Sequence, residues 1–226
     1  CAESEWKPIE RDLRLAKETG CKYHVCHISC KESVELIRNA KAEGVDVTCE
    51  TAPHYLVLCD EDLREEGRFK MNPPLRTKED VEELKRGLKE DIMDVIATDH
   101  APHTADEKNN SMEKAPFGIV GLETAAALTH TELVLKDYLT PMQMAEKMSC
   151  NPAKILGLDA GSLEEGKPAD IVIFDPKKTY KIDKNKFWSK GRNTPFDGRE
   201  VTGAVLTTIV EGKIAYDIKM DHEITK

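Results

Sequence analysis

The sequence predicts an α/β protein with a parallel sheet, followed by a small β module. Strand-like and helix-like segments alternate through the first 158 residues, which is typical of parallel strands joined by right-handed crossovers. From about residue 161 onward, β signals follow one another without intervening helices. We therefore expect one unit over residues 1–158, either a doubly wound sheet or part of a (β/α)8 barrel, and a β module over residues 159–226.

The first elements follow a helix, strand, helix order. Residues 7–18 carry apolar positions at helical spacing, with a proline near the start, and Gly20 ends this helix. Residues 23–28 are the first predicted strand. Residues 31–41 form an amphipathic helix that ends before Gly44.

The next segments repeat this order. Residues 45–51 are the second predicted strand. Residues 77–88 form a charged helix, in which Thr77 is the N-cap and Asp80 lies where a capping box needs its acidic partner. Residues 93–98 are the third predicted strand.

The sequence changes character after two further helical segments. An apolar helix is predicted over residues 122–135, and a pair of short helices over residues 141–157. Residues 161–170 are rich in turn-forming residues. The predicted strands of the β module then cover residues 171–175, 179–182 and 201–211.

The composition excludes several classes of partner. The 226 residues include 33 Lys and Arg against 42 Asp and Glu, a net charge of −9, which argues against nucleic acid and anionic membrane surfaces. No apolar run approaches the roughly 20 residues needed to span a bilayer, and no signal-peptide pattern opens the chain. The chain also starts without Met, so we expect an internal fragment or a processed product.

Seven cysteines, an odd number, indicate reduced thiols in a cytoplasmic protein. The spacing of Cys26 and Cys30 allows a zinc site as an alternative, but no second pair follows at zinc-finger spacing. Burial as small apolar residues explains Cys26 and Cys30 better.

Residues 94–104 are the most informative stretch. A short apolar strand runs directly into Asp99, and His103 follows on the same Pro-containing loop. A metal hydrolase needs such a carboxylate, which can bind a metal and move a proton, with a hydrogen-bonding group nearby. The alternative is that Asp99 is a helix N-cap and the histidines are loop residues.

Polar residues also follow the other predicted strands. His27 ends the first strand, His54 lies just past the second, and Asn72 and Arg76 lie in the loop before the third. Because the carboxyl ends of parallel strands share one edge, we expect these side chains to converge with Asp99.

Three of the polar side chains have structural alternatives. Arg76 equally suits a structural role ahead of a helix, and His54 suits a buried core position. His24, on the opposite face of its strand from His27, is expected to be structural.

Four motifs in unbroken order resemble the dihydroorotases, and more narrowly their bacterial class I form among the cyclic amidohydrolases. They are His24–Ser29, Met71–Arg76, Ala97–His103 and Pro116–Thr124. Residues 161–170 resemble the C-terminal β module of that superfamily. The resemblance implies that this chain forms strands six to eight of a TIM-type barrel followed by the β module.

The resemblance also implies roles for individual residues. His27 and Asp99 match metal ligands on strands six and eight, and Asp99 also transfers the proton. Four further residues match substrate-binding groups: Asn72, His103, Phe117 and Gly118. His54 matches a pocket residue rather than a direct metal ligand.

The implied activity is zinc-dependent interconversion of N-carbamoyl-L-aspartate and L-dihydroorotate in pyrimidine biosynthesis, with one or two zinc ions. The family's other metal ligands and its substrate-clamping Arg belong to strands one to five, which this chain does not contain. We therefore expect a truncated form that is inactive alone. The expected partners are the small-molecule substrate, a second copy of the chain and a transcarbamoylase.

Two other functions stay open. One is a sister enzyme, a dihydropyrimidinase or an allantoinase, although Asn72 and His103 favour a carboxylate-bearing substrate. The other is a non-catalytic scaffold that binds a transcarbamoylase. The polar stretch 104–115 is expected to be a mobile flap over the site, because it is long and lacks apolar periodicity.

Overall fold

The structure, a computed structural model, describes residues 1–219. Two three-stranded sheets are present in this range. The first is parallel, in the order β1-β2-β3, and its strands are β1 (Tyr23–Val25), β2 (Val47–Thr51) and β3 (Val95–Ile96). The second is antiparallel, and its strands are β4 (Ile171–Lys181), β5 (Glu200–Val210) and β6 (Lys213–Asp217).

Helices connect and cover the parallel strands. They are α1 (Glu3–Thr19), α2 (Lys31–Ala42), α3 (Pro53–Val57), α4 (Lys78–Lys89), α5 (Ala105–Lys108), α6 (Ala125–Thr129), α7 (Pro141–Ala145) and α8 (Asn151–Leu156). Turns of π-helix continue α6 and α7, over His130–Val134 and Glu146–Cys150. The predicted α/β alternation is confirmed by this order.

Local sequence signals account for the ends of two helices. The Thr77 hydroxyl accepts from the Asp80 backbone N–H while the Asp80 carboxylate accepts from the Thr77 N–H, so the predicted capping box is confirmed. Gly20 ends α1 in the left-handed region at φ 70°.

Other elements differ from the prediction. Helix α1 begins at Glu3 rather than residue 7, since acidic Glu3 and Glu5 suit the positive end of the helix dipole. Strands β1 and β3 stop early, because the backbone turns into the left-handed region at His27 and Asp99. Helix α3 and strand β6 were not predicted.

The antiparallel sheet is joined to the helical layer. Thr202 of β5 exchanges hydrogen bonds with Thr131, and Arg199 pairs with Glu132 at 2.8 Å. Val201 is buried in the same core as Leu133. The division at residues 158 and 159 stays a prediction, and the last residues of the predicted β module, 220–226, lie outside the described range.

Within residues 1–219, none of the helices has the length and apolar character needed to cross a membrane.

Candidate active site

His27 and Asp99 lie at the same edge of the parallel sheet. Each follows the carboxyl end of its strand, His27 after β1 and Asp99 after β3, on either side of β2. Both have a positive φ, 37° for His27 and 45° for Asp99, which is uncommon for residues other than glycine and occurs often at functional sites. Asp99 does not cap a helix, since α5 begins only at Ala105 with Thr104 as its N-cap, so the N-cap alternative is wrong.

His54 joins this pair from the first turn of α3. Its side chain is 2% exposed, and its Nε2 atom lies 3.8 Å from Asp99 Oδ2. In the described part of the chain, His54 Nε2 and His27 Nδ1 are both buried without a hydrogen-bond partner. The structure therefore brings two imidazoles and one carboxylate together, and two of the ring nitrogens have unused bonding capacity.

Burial sets the charge of these groups. Burial raises the pKa of Asp99, an effect that nearby His27 reduces and nearby Glu50 reinforces. Burial, together with nearby His27, lowers the pKa of His54 to about 3. His54 is consequently a neutral imidazole at neutral pH.

The donor set fits a divalent metal. A buried ring nitrogen without a partner costs free energy, which a bound cation at the edge of the sheet would recover. Neutral imidazole nitrogen and carboxylate oxygen are ligands that zinc accepts. His27, His54 and Asp99 offer ligand atoms of these types at one edge of the sheet.

The residues matched to substrate binding form a second group. His103 Nε2 lies 2.8 Å from the Phe117 carbonyl oxygen. The Gly118 N–H donates to the Lys70 carbonyl, and the Gly118 carbonyl accepts from Lys108 Nζ and Asn193 Nδ2. Because these backbone groups already have partners, the expected contact of Phe117 and Gly118 with a substrate ring stays a prediction.

Lys108 and Asn193 were missed by sequence reasoning. Lys108 is 5% exposed, and its ammonium also donates to the carbonyls of Lys70 and Pro116. Asn193 accepts from the His103 N–H and donates to the Ala101 carbonyl. A lysine and an asparagine in polar stretches carry no pattern that distinguishes them from exposed residues.

The stretch expected to be a flap is therefore partly ordered. Residues 105–108 form α5, which is closed by a capping box between Thr104 and Glu107. Lys108 then ties this turn to residues 116–118. Gly118 is required at this junction, since a Cβ there would lie 2.4 Å from the Ala101 Cβ, and its φ is 117°.

We predict that Lys108→Met loosens this stretch. Hydrogen bonds from a charged donor contribute about 1.5–3 kcal/mol, so amide hydrogen exchange over residues 104–118 should quicken at least about tenfold. Lys114→Met, an exposed change in the same loop, is the matched control and should leave exchange unchanged.

The stability of the wild-type chain should also depend on the pH through Lys108. Burial and neighbouring Lys70 lower the pKa of Lys108 to about 8, below the usual 10.5. Between these two pH values the unfolded chain binds a proton that the folded chain does not, so the free energy of unfolding rises with pH. Urea titrations should show a steeper rise in the wild type than in Lys108→Met; equal slopes would contradict the prediction.

Asn72 and Arg76 have no recorded hydrogen bond to the residues around Asp99 or to those around His103 in the described part of the chain. Asn72 is exposed in the loop before α4. The Arg76 guanidinium is 10% exposed, donates to Ser29 Oγ at 3.0 Å and pairs with Glu5 at 3.3 Å. These contacts favour the structural alternative for Arg76.

Glu5 connects three segments around the site. Its carboxylate accepts from the Ser29 and Cys30 backbone N–H groups and from the Ser33 hydroxyl, and it pairs with Arg76. It thereby ties α1 to the turn that follows His27 and to the start of α2. The alternative zinc site at Cys26 and Cys30 is wrong, because Cys30 faces Glu5 and Ser33. The expected burial is confirmed for Cys30 and wrong for Cys26, which is exposed just past the end of β1.

We predict that Glu5→Gln destabilises the fold by about 2 kcal/mol at pH 7. Burial raises the pKa of Glu5, but hydrogen bonds from Ser29 and its neighbours outweigh burial and lower it below the usual 4.5. This stabilisation is therefore present above pH 4.5 and lost as the pH falls through the lowered pKa of the folded chain.

Chemical denaturation at pH 7 and at pH 3 measures this effect. The gap between Glu5→Gln and wild type should narrow at pH 3, and exposed Glu10→Gln on the same helix should have no effect. A gap that is equal at both values would show that charge at Glu5 is not what stabilises the turn.

The parallel sheet, with polar residues at its carboxyl edge, has the features of the amidohydrolase class of proteins. The chain belongs to the amidohydrolase family, whose sequence model matches residues 7–215. The dihydroorotase of Brevibacillus brevis is 51% identical over 217 residues, covering 95% of this chain and 51% of the relative. The predicted resemblance to dihydroorotases is thus confirmed.

Solved structures agree on the fold. The L-hydantoinase (dihydropyrimidinase) of Arthrobacter aurescens has a TM-score of 0.87 and 36% identity, covering 92% of this chain and 48% of that one. The dihydropyrimidinase of Brevibacillus agri has a TM-score of 0.91 and 27% identity, covering 97% of this chain and 50% of that one. The chain spans about half the length of the curated relatives it matches.

Proposed function

We propose that the protein is a zinc-dependent dihydroorotase, which interconverts L-dihydroorotate and N-carbamoyl-L-aspartate in pyrimidine biosynthesis. One observation carries this proposal: buried His54 and half-buried His27, each with a buried ring nitrogen that has no partner, lie near Asp99 at the carboxyl edge of a parallel sheet. The 51% identity to a dihydroorotase supports this substrate over those of the structural neighbours, which are 27–36% identical.

The proposal includes the place of the chain in the fold. We infer that β1, β2 and β3 are strands six to eight of a (β/α)8 barrel, and that residues 159–226 form the C-terminal β module. The parallel order of the strands and the polar residues at their carboxyl ends support this assignment.

His27 and Asp99 would hold the zinc ion. When bound, the metal polarises the ring carbonyl as a Lewis acid and activates water. Asp99 accepts the proton of the attacking water and returns it to the leaving ring nitrogen. Its raised pKa suits this exchange, because an acid that titrates closer to neutral pH accepts and releases a proton more readily.

Asn72 and His103 orient the substrate, with Phe117 and Gly118 beside the ring. A cleft of about 670 Å³ opens next to His103. Its charged lining residues are five cations, Arg68, Lys108, Lys184, Lys190 and Arg192, and two acidic residues, Glu65 and Glu66. In a chain of net charge −9, such a cleft favours the approach of a carboxylate-bearing substrate. Asn193 bonds His103, and both Asn193 and Lys108 bond the Gly118 carbonyl, so these contacts preorganise this side of the site.

The alternative functions are a dihydropyrimidinase or allantoinase and a non-catalytic scaffold. A panel of four substrates separates these functions: dihydroorotate, dihydrouracil, hydantoin and allantoin. Each is assayed with zinc-loaded protein that has the same length as the curated relatives. We expect dihydroorotate to have the highest kcat/KM. Faster turnover of another ring would support a sister enzyme, and no turnover of any would support the scaffold.

The proposal extends to partners and compartment. The substrate is a small molecule, and a second copy of the chain and a transcarbamoylase are the proposed protein partners. All seven cysteines are free thiols, which supports a cytoplasmic location.

A further inference from the structure

Three side chains with metal-binding atoms share one face of the parallel sheet. The register pairs His24 of β1 with Thr48 of β2, and side chains two residues apart on a strand share a face. Cys26 and Glu50, each two residues further along, therefore follow on the same side. The opposite face carries Val25, Val47 and Cys49, which are buried beneath the helices.

The three ligand atoms are close together. The Nε2 atom of His24 lies 3.3 Å from Glu50 Oε2. One ring nitrogen of His24, the Cys26 thiol sulfur and one Glu50 oxygen all lie within 4.8 Å of one another. The side chains of His24 and Glu50 are 27% and 17% exposed, and Cys26 is exposed, so a cation in solution can reach them in the 226-residue chain. In the proposed barrel this face of the sheet would line the lumen.

These distances suit a tetrahedral ion. Zinc bonds of about 2.0–2.3 Å to nitrogen, oxygen and sulfur place neighbouring ligand atoms roughly 3.3–3.8 Å apart. Small side-chain rotations would bring the sulfur into that range. Three protein ligands leave a fourth position for water.

A further contact orients the histidine. His24 Nδ1 lies 2.7 Å from the Thr48 hydroxyl oxygen. When Nδ1 donates its proton to Thr48, Nε2 is left unprotonated and directed at Glu50. Metal-binding histidines are usually held in this way by a hydrogen bond at the other ring nitrogen.

We propose that His24, Cys26 and Glu50 form a second metal site, for a zinc-type divalent cation. The thiolate excludes hard cations such as Mg²⁺ and Ca²⁺, which prefer oxygen ligands. The site shares no ligand with the candidate site at His27 and Asp99. It also stands without the proposed hydrolase activity, since the ligands are defined by the sheet alone.

Cobalt titration of the full 226-residue chain tests this site, with a phosphine reductant keeping the thiols reduced. Co²⁺ accepts the same nitrogen, oxygen and sulfur ligands as Zn²⁺ and, when bound to a thiolate, gives a charge-transfer absorption band that His and Asp ligands do not. We expect one equivalent of Co²⁺ to produce this band in the wild type, and Zn²⁺ to abolish it by competition.

Substitutions assign the band to residues. Cys26→Ser should remove it, whereas Cys21→Ser, an exposed cysteine outside the cluster, should retain it. Glu50→Gln and His24→Gln should weaken binding at least tenfold, and Thr48→Val should weaken it less, because it removes only the orienting contact. Asp99→Asn should retain the band, which separates this site from the candidate active site.

Two results would overturn the proposal. One is a wild-type chain that binds Co²⁺ without a thiolate band. The other is a band that persists unchanged in Cys26→Ser, which would place the sulfur ligand elsewhere.

Discussion

Replacing Asp99 with Asn is expected to lower kcat for dihydroorotate by at least about 10³-fold. The substitution removes both the proton acceptor and one of the two proposed metal ligands while keeping the size of the side chain. The proposed role is tested by measuring the rate at saturating substrate and the zinc content of the variant. Both are measured in a protein of the same length as the curated relatives. The fold should survive, since Asp99 lies at the edge of the sheet and is not part of the hydrophobic core.

Asp46→Asn is the matched control for this substitution. Asp46 precedes β2 at the opposite edge of the sheet and is exposed. Its kcat should stay within twofold of the wild type. A kcat of Asp99→Asn within tenfold of the wild type, with zinc fully bound, would refute the role of Asp99.

The 226-residue chain by itself is expected to hydrolyse no measurable dihydroorotate. In the described range the parallel sheet has three strands, too few to close a barrel, and β1 and β3 are its edges. A site that is open to water cannot fix the substrate or strengthen charge interactions with it. Exposed strand edges also favour pairing between chains, so self-association should accompany the loss of activity.

A hybrid supplies the test and its positive control. The chain is joined behind the first half of the Brevibacillus brevis dihydroorotase and assayed with zinc, beside the chain alone. The hybrid should turn over dihydroorotate. Light scattering should show a smaller fraction of monomer for the chain alone than for the hybrid. Turnover by the isolated monomeric chain would show that the three strands suffice.

The sequence predicted the alternation of strands and helices because periodicity and caps are local properties. Thr77 and Asp80 lie three residues apart and form their capping box with each other. The positions of His27 and Asp99 after strands could be read for the same reason. Their use of left-handed backbone, which shortens β1 and β3, could not be read, since such a conformation depends on packing around the turn.

Long-range hydrogen bonds account for what sequence reasoning missed. The Glu5 carboxylate accepts hydrogen bonds from Ser29 and Ser33, which are 24 and 28 positions further along the chain, and it pairs with Arg76, which is 71 positions away. Nothing in the sequence around Glu5 indicates these partners. Asn193 likewise holds the Gly118 carbonyl from 75 residues away. From the sequence, substrate binding and a structural role were equally suitable for Arg76. Its contacts with Ser29 and Glu5 favour the structural role.

The sequence by itself determined the family, the order of the elements and the strand-end residues, because each is encoded by residues close together in the chain. The tertiary structure decided which polar residues meet. It placed buried His54 against Asp99, and it placed His24 and Cys26 beside Glu50 on one face of the sheet. Those meetings depend on how parallel strands from separate parts of the chain align, and strand register is set by packing of the whole sheet rather than by any local pattern.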